Sequence, residues 1–200
     1  QLADRGNCFY AYVNDRLEAE RLFGEQLVGT LQTVARDARV QVEFQPDSVL
    51  RYRLLGYENR RMADEDFENP YVDAGEVGAG HSVTALYEIE PALSRAAFLG
   101  TVRVRWVDPD TNAEQEEAVD IDLFSIGDDY RSTSPGFQLA ATVAGFAEIL
   151  RESPYVSGYT LDDVAREAAS VAALFEGDLN VTVFRELTDI AARLDRGYDW

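Results

Sequence analysis

The sequence has few of the side chains that most metal and redox sites require. Its 200 residues contain one cysteine, Cys8, and one histidine, His81. A single cysteine excludes an internal disulfide, and these two side chains are too few for a zinc or iron–sulfur centre. Lysine is missing as well, so all 18 basic residues are arginines. No transition-metal centre and no cofactor are therefore predicted.

Long apolar runs and positive charge are also scarce. No stretch of about 18 apolar residues is present, so membrane association is expected only through regions outside this sequence. Asp and Glu number 37 against the 18 arginines, which gives a net charge of -19. Such a chain repels phosphate backbones, which argues against nucleic acid as a partner. With 46% hydrophobic residues it can still bury the core of one or two domains.

The N-terminal half predicts one strand and one helix, followed by a β-rich region. Residues 8–13 form a short apolar run, and Asp15 and Glu18 then have the spacing of a capping box. Apolar residues at intervals of three and four predict a helix over about residues 16–37. From Val40 the apolar period is two, which is typical of a strand. Strands are predicted near residues 40–44, 49–57, 81–89, 98–107 and 117–124.

The C-terminal part predicts three helices. Ser134 and Pro135 begin a helix over about residues 136–151, the pair Thr160 and Asp163 begins the second, and Asp178 caps the third. The fold class is therefore α+β. We expect an antiparallel sheet or sandwich over residues 40–125, followed by a three-helix part over residues 134–196.

Two apolar faces are predicted to be buried. In a hairpin that turns at residues 108–112, the apolar side chains of both strands share one face, while Arg103 and Arg105 share the solvent face with Asp120 and Asp122. The residues of that apolar face are Val102, Val104, Trp106, Val119, Ile121 and Leu123. The third helix has its own stripe, made of Val183, Phe184, Leu187, Ile190, Ala191 and Leu194.

Residues 58–80 form an unusually long connection between two predicted strands. Connections of this length are functional or disordered, and the aromatic and glycine content of this one favours order. We predict a binding role for Asn59, Arg60, Asp64, Asp66, Asp73, Glu76 and His81. The four acidic residues of this set, Asp64, Asp66, Asp73 and Glu76, could instead hold calcium, although no EF-hand spacing is present. No catalytic residue is predicted, because Ser82 and His81 are neighbours on a predicted strand and point to opposite faces.

The same connection carries a family resemblance. The motifs are Asn59-Arg60, ADEDF at 63–67, DAGE at 73–76 and GAGH at 78–81, which runs into VTALYE at 83–88. Together with residues 2–7 and 40–44, they resemble the C-terminal region of bacterial von Willebrand factor type A domain proteins. The resemblance implies that residues 1–38 are the last strand and helix of a type A domain and that residues 39–200 are the region beyond it. The metal-holding D-x-S-x-S motif is missing from the sequence, so no adhesion-site metal is implied.

From this resemblance we expect a non-enzymatic protein interaction or accessory module in an exported bacterial protein, located in the periplasm or on the cell surface. Its partner would be a protein. The final helix of related type A domains is displaced when ligand binds, and the β-rich region here could read such a displacement through a junction near Val40. Two alternatives remain open: a calcium-stabilised binding module, and an enzyme whose site forms only in three dimensions. The oligomeric state is not predicted.

Overall fold

The computed structural model describes residues 16, 32–56, 62–69, 71–72, 74–92, 97–127 and 129–197. These residues form two compact units. The first comprises the described residues of Gln1–Tyr52, Tyr57–Val83 and Ile89–Ser125, and the second those of Arg53–Gly56, Thr84–Glu88 and Ile126–Trp200. Strands form antiparallel sheets and three helices follow them, so the predicted α+β class is confirmed.

Six strands are present in the described part of the chain. Their bounds are β1 Thr33–Phe44, β2 Val49–Leu55, β3 Gly75–Gly78, β4 Leu86–Pro91, β5 Phe98–Val107 and β6 Glu114–Asp122. Four of them form one sheet in the order β3-β1-β5-β6, and β2 pairs with β4 in a second sheet. Since β1 pairs with both β3 and β5, it is an interior strand of the larger sheet.

The predicted hairpin is present as β5 and β6. At its turn, the Asp108 carboxylate accepts hydrogen bonds from the backbone N–H groups of Thr111 and Asp110, at 2.8 and 2.9 Å. These bonds, led by that from Thr111, lower the pKa of Asp108 below its ordinary value. The turn residues therefore act as the sequence predicts, by bonding to their own backbone.

The pairing partners in this hairpin differ from the prediction. Strand β6 begins at Glu114, three residues before its predicted start, so two further glutamates join it. Arg103 pairs with Glu116 and Arg105 with Glu114, each at 2.8 Å. Asp120 lies opposite Thr101 and accepts a hydrogen bond from its hydroxyl group.

The helices of the second unit begin where the sequence predicts. Their bounds are α1 Pro135–Leu150, α2 Leu161–Ala172 and α3 Leu179–Asp195. Ser134, Thr160 and Asp178 each accept a hydrogen bond from an N–H group in the following first turn. Thr160 and Asp163 complete the predicted capping box. Among the described residues, no helix has both the length and the apolar composition that a bilayer crossing needs.

The predicted helix over residues 16–37 is wrong at its C-terminal end. Arg16 has helical backbone, but residues 33–37 belong to strand β1. This strand is irregular between Arg36 and Arg39, where Asp37 has a φ of 50°. An extra residue in a strand breaks the period of two, so the apolar spacing around it imitated a helix. The predicted strand at residues 8–13 and the rest of the helix lie outside the described residues.

The predicted β4 was also misplaced. The strand was expected over residues 81–89, whereas it starts at Leu86 and continues to Pro91. Residues 81–85 have no regular structure. Their alternation was therefore a local sequence pattern that did not become a strand, and periodicity alone does not distinguish the two cases.

Candidate binding surface

A buried arginine holds part of the long connection in place. Arg39 lies on β1, and its Nη1 donates to the carbonyl oxygens of Asp66, Phe67 and Asn69, at 2.8, 3.1 and 2.7 Å. Its Nη2 donates to the carbonyl oxygen of Val72 at 2.6 Å. These bonds tie the described residues of 62–72, which we call the Arg39-bound segment, to strand β1.

The charge of this arginine is balanced by a neighbour on the same strand. Both carboxylate oxygens of Asp37 accept hydrogen bonds from Arg39 Nη2, at 2.8 and 2.9 Å. A buried charge needs both an opposite charge and hydrogen bonds to be tolerated, and Arg39 has both. The unusual φ of Asp37 is thus accompanied by a specific pairing role.

A second arginine contacts the same segment. Phe67 is buried, and the guanidinium of Arg103 lies 5.2 Å from the centre of its ring. The Oε1 atom of Glu68 also lies 3.5 Å from the Nη2 atom of Arg103. Arg39 on β1 and Arg103 on β5 lie in rows of the sheet that are two residues apart. Side chains two residues apart along a strand point to the same side, so both arginines project from the same side of the sheet. The Arg39-bound segment therefore covers the arginine-bearing side.

The strand register divides the sheet into two chemically different faces. One face, which we call the arginine face, carries Arg39, Arg103 and Arg105 with Glu114 and Glu116 of β6, whereas Glu117 of β6 lies opposite Val104 on the other face. On the other face, Val40 of β1 pairs with Val104 of β5, and Val42 of β1 pairs with Val102 of β5. Val102 pairs in turn with Val119 of β6. We call the five residues Val40, Val42, Val102, Val104 and Val119 the valine face.

Individual residues of the two faces have the reverse of the exposure that hydrophobicity predicts. Val40 is 61% exposed and Val119 is 65% exposed, whereas Arg39 is 4% exposed. The prediction that the valines of this hairpin are buried is therefore wrong for Val119, and Val102 and Val104 are only half-buried. At one end Phe44 packs against Tyr52, with ring centres 4.6 Å apart. The valine face is therefore partly exposed, with Glu117 beside Val104, and exposed apolar groups on a sheet are typical of an interaction surface.

The residues predicted to bind are only partly grouped. Asp64 and Asp66 share a short 3-10 helix, Asp64–Asp66, while Glu76 lies on β3 and His81 follows that strand. Asp64, Glu76 and His81 are exposed. The Asp66 carboxylate accepts a hydrogen bond from the Asn69 amide at 3.3 Å, inside the Arg39-bound segment. Asn59, Arg60 and Asp73 lie outside the described residues.

The calcium interpretation gains no support from the described residues. Among them, no three His, Cys, Asp or Glu side chains are grouped closely enough to hold a metal ion. Asp73, one of the four acids in that interpretation, is not among the described residues. Two carboxylates of the Arg39-bound segment instead have partners within the fold, Asp66 with the Asn69 amide and Glu68 with Arg103.

The second unit contains a buried carboxylate with a structural explanation. Glu148 on α1 is buried, and its Oε2 accepts a hydrogen bond from Arg53 Nη1 at 2.6 Å. Burial by itself would raise the pKa of Glu148, but the hydrogen bond and charge of Arg53 outweigh it, so this pKa lies below its ordinary value. Arg53 also pairs with Glu88 and stacks on the ring of Tyr155. The ionised carboxylate therefore anchors α1 to this part of its own unit.

Sequence reasoning missed both features that define the surface. Nothing in the pattern around Arg39 distinguishes it from Arg36, the other arginine of β1. The alternation of Val40 and Val42 with polar residues predicted a strand, but a period of two does not say which face of the strand is covered.

Comparison with known proteins places the chain in a family. A family model described as "Uncharacterized protein YfbK, C-terminal" matches residues 29–100 and 92–178, which together include all six strands, α1 and α2. The chain belongs to the YfbK C-terminal family. The expected resemblance to a C-terminal region is thus confirmed at the level of this family.

The uncharacterized protein YfbK of Escherichia coli (strain K12) is similar to this chain. The two are 29% identical over 187 residues, which covers 84% of this chain and 32% of that protein. The chain therefore spans about a third of the length of this curated relative. No solved structure matches the chain.

Proposed function

We propose that this YfbK C-terminal region is a non-enzymatic protein interaction module that docks through its valine face. The observation that carries the proposal is the reversed exposure of the sheet. The Arg39-bound segment covers the charged side, while Val40 and Val119 remain open to solvent. Fully burying one such side chain is worth roughly 1.5–3 kcal/mol, so a partner that covers several valines gains substantial binding free energy.

The proposed partner is a von Willebrand factor type A domain in the same longer polypeptide. The motif resemblance of residues 1–38 and 59–88 supports this partner, as does the one-third coverage of the E. coli relative. On this proposal the module acts outside the cytoplasm of a bacterium. A domain linked to its partner has a high effective concentration, so even a modest apolar face is sufficient for docking.

Two charge insertions on one edge strand provide a matched test. Val119→Glu adds a carboxylate to the valine face, which already has Glu117 beside Val104, whereas Ala118→Glu places the same charge on the arginine face of β6. Titration calorimetry between each purified variant and the separately produced type A domain measures how tightly the two bind. We expect Val119→Glu to weaken binding at least tenfold, since an unpaired charge would be desolvated, and Ala118→Glu to change it little.

Three results would contradict this function. Binding that both variants retain would show that the valine face is not the docking surface. Equal weakening by both variants would point to general repulsion. A full-length gene with no type A domain before this region would remove the proposed partner.

A further inference from the structure

Helix α3 has a second apolar face in addition to the one it buries. Its core contacts are made by Val181, Thr188 and Ala192, which are buried where α3 packs with α2. The predicted inner stripe is therefore wrong for Val183, Leu187 and Leu194, whereas Phe184 packs against Phe146 of α1 with ring centres 5.9 Å apart. Val183, Leu187 and Leu194 are each about half exposed, and Ile190 is partly exposed. Small residues allow close packing between helices, so the longer aliphatic side chains were left on the outer side.

The outer residues have the spacing of a helix-pairing seam. Val183, Leu187, Ile190 and Leu194 are separated by four, three and four positions, which is two heptads of a and d positions. With 3.6 residues per turn, this seam lies on the opposite side of the helix from the buried face. The residues are aliphatic throughout, as a and d positions of paired helices usually are. We call these four residues the α3 seam.

Charged residues beside the seam identify its partner. Glu186 and Arg193 are one heptad apart, both exposed, and both occupy the position just before an a residue. Neither makes an ion pair with another described residue, although Arg193 Nε donates to the carbonyl oxygen of Asp189. In an antiparallel pair of identical helices, such flanking positions face each other across the seam. Glu186 of each copy would then face Arg193 of the other.

The apolar layers and the charges agree on one register. If Leu187 faces Ile190 of the second copy, then Val183 faces Leu194, and this same register brings Glu186 beside Arg193. A parallel pair would instead place Glu186 opposite Ala191, which offers no charge. The seam is therefore complementary to itself in the antiparallel orientation only.

We propose that the chain forms a homodimer in which the α3 seams of two copies pair antiparallel. The partner is a second copy of this chain, held by two heptads of aliphatic contacts and two symmetric Glu186–Arg193 ion pairs. The dimer does not depend on the valine face and goes beyond the proposed function. A two-fold symmetric pairing of this kind is the commonest form of protein oligomer.

Sedimentation equilibrium of the 200-residue chain tests the dimer. Salt of about 0.15 M is needed, since it shortens the range of repulsion between two copies of charge -19 to about 8 Å. We expect a concentration-dependent monomer–dimer equilibrium. Leu187→Arg should raise the dissociation constant at least tenfold without unfolding the chain, because Leu187 is already exposed. Circular dichroism checks that the fold is retained.

A charge swap tests the register. Glu186→Arg alone should weaken the dimer, because it places two arginines opposite each other, and adding Arg193→Glu should restore it. Val119→Glu should leave the dimer intact, so failure of this inference is distinguishable from failure of the proposed function. A wild-type chain that stays monomeric at all concentrations would overturn the inference. A double variant that fails to recover the dimer would also overturn it. So would a monomeric chain whose α3 seam is protected from hydrogen exchange only within the longer polypeptide.

Discussion

Arg39 donates hydrogen bonds to four carbonyl oxygens and to both carboxylate oxygens of Asp37 while its side chain is almost wholly buried. The carbonyls belong to a segment with four internal backbone hydrogen bonds, and the carbonyls of Asp66 and Asn69 accept one of these in addition to the bond from Arg39. A guanidinium suits this task, because its planar fork presents several donors in fixed directions. Arg39, which lies about 30 positions earlier in the chain, thus adds long-range hydrogen bonds to the local ones and ties the segment to β1.

Arg39→Lys should destabilise the first unit by about 2–4 kcal/mol. The ammonium group keeps the charge but cannot reach four carbonyls and Asp37 together, which leaves buried acceptors unpaired. Urea unfolding measures the loss, and hydrogen exchange should show reduced protection of the Arg39-bound segment. Arg105→Lys is the control, since Arg105 pairs with an exposed glutamate and should cost under about 1 kcal/mol. Equal effects of the two changes would refute the role given to Arg39.

At the scale of elements, β1 and β5 approach each other closely at a glycine. A Cβ atom on Gly100 would lie 2.3 Å from the carbonyl oxygen of Glu43 and 3.0 Å from the Cα of Phe44. Both are backbone atoms of β1, so they cannot move aside as a flexible side chain can. The register between β5 and β6 also shifts just before this glycine.

Gly100→Ala should therefore lower the free energy of unfolding by about 3 kcal/mol, through displacement of one strand of the sheet. Gly75→Ala on β3 is the matched control, because a Cβ there meets nothing within 4 Å. An alanine at that strand position should be neutral or stabilising by about 0.5 kcal/mol. Chemical denaturation of both variants measures the difference, and a well-tolerated Gly100→Ala would mean that the two strands are further apart.

For the helices, the sequence predicts where each one begins but not which side of α3 is buried. Ser134, Thr160 and Asp178 were recognised from the sequence because a cap is a contact between residues two or three apart. The outward side of α3 was not recognised, because both sides of this helix carry apolar residues. Packing selected Val181, Thr188 and Ala192 for the interior and left the longer side chains outside.

At the scale of the whole molecule, the dominant property is the charge of -19, which is spread along the chain. Repulsion among like charges destabilises a compact state, and salt screens it. Local ion pairs such as Arg51 with Glu90 are exposed and contribute little, so screening them costs little. The net effect of salt on folding should therefore be stabilising.

Raising the NaCl concentration from about 0.02 to 0.5 M should increase the thermal midpoint by a few degrees, equivalent to about 1 kcal/mol. Calorimetry measures the shift, and KCl should give the same result because screening depends on ionic strength alone. A falling midpoint would show that ion pairs outweigh the repulsion. A large rise with millimolar CaCl2 that matched NaCl cannot reproduce would revive the calcium interpretation.

By itself the sequence determined the elements whose causes are local: the α+β order, the hairpin turn at Asp108 and the three helix caps. It also determined which residues of a strand share a face, because that follows from a period of two. Only the tertiary structure decided which face is covered. The contacts of Arg39 and Phe67 join parts of the chain that are far apart in sequence, and such contacts leave no periodic trace. The valine face and the α3 seam are exposed for the same reason, since exposure depends on what packs against a surface as well as on what the surface is made of.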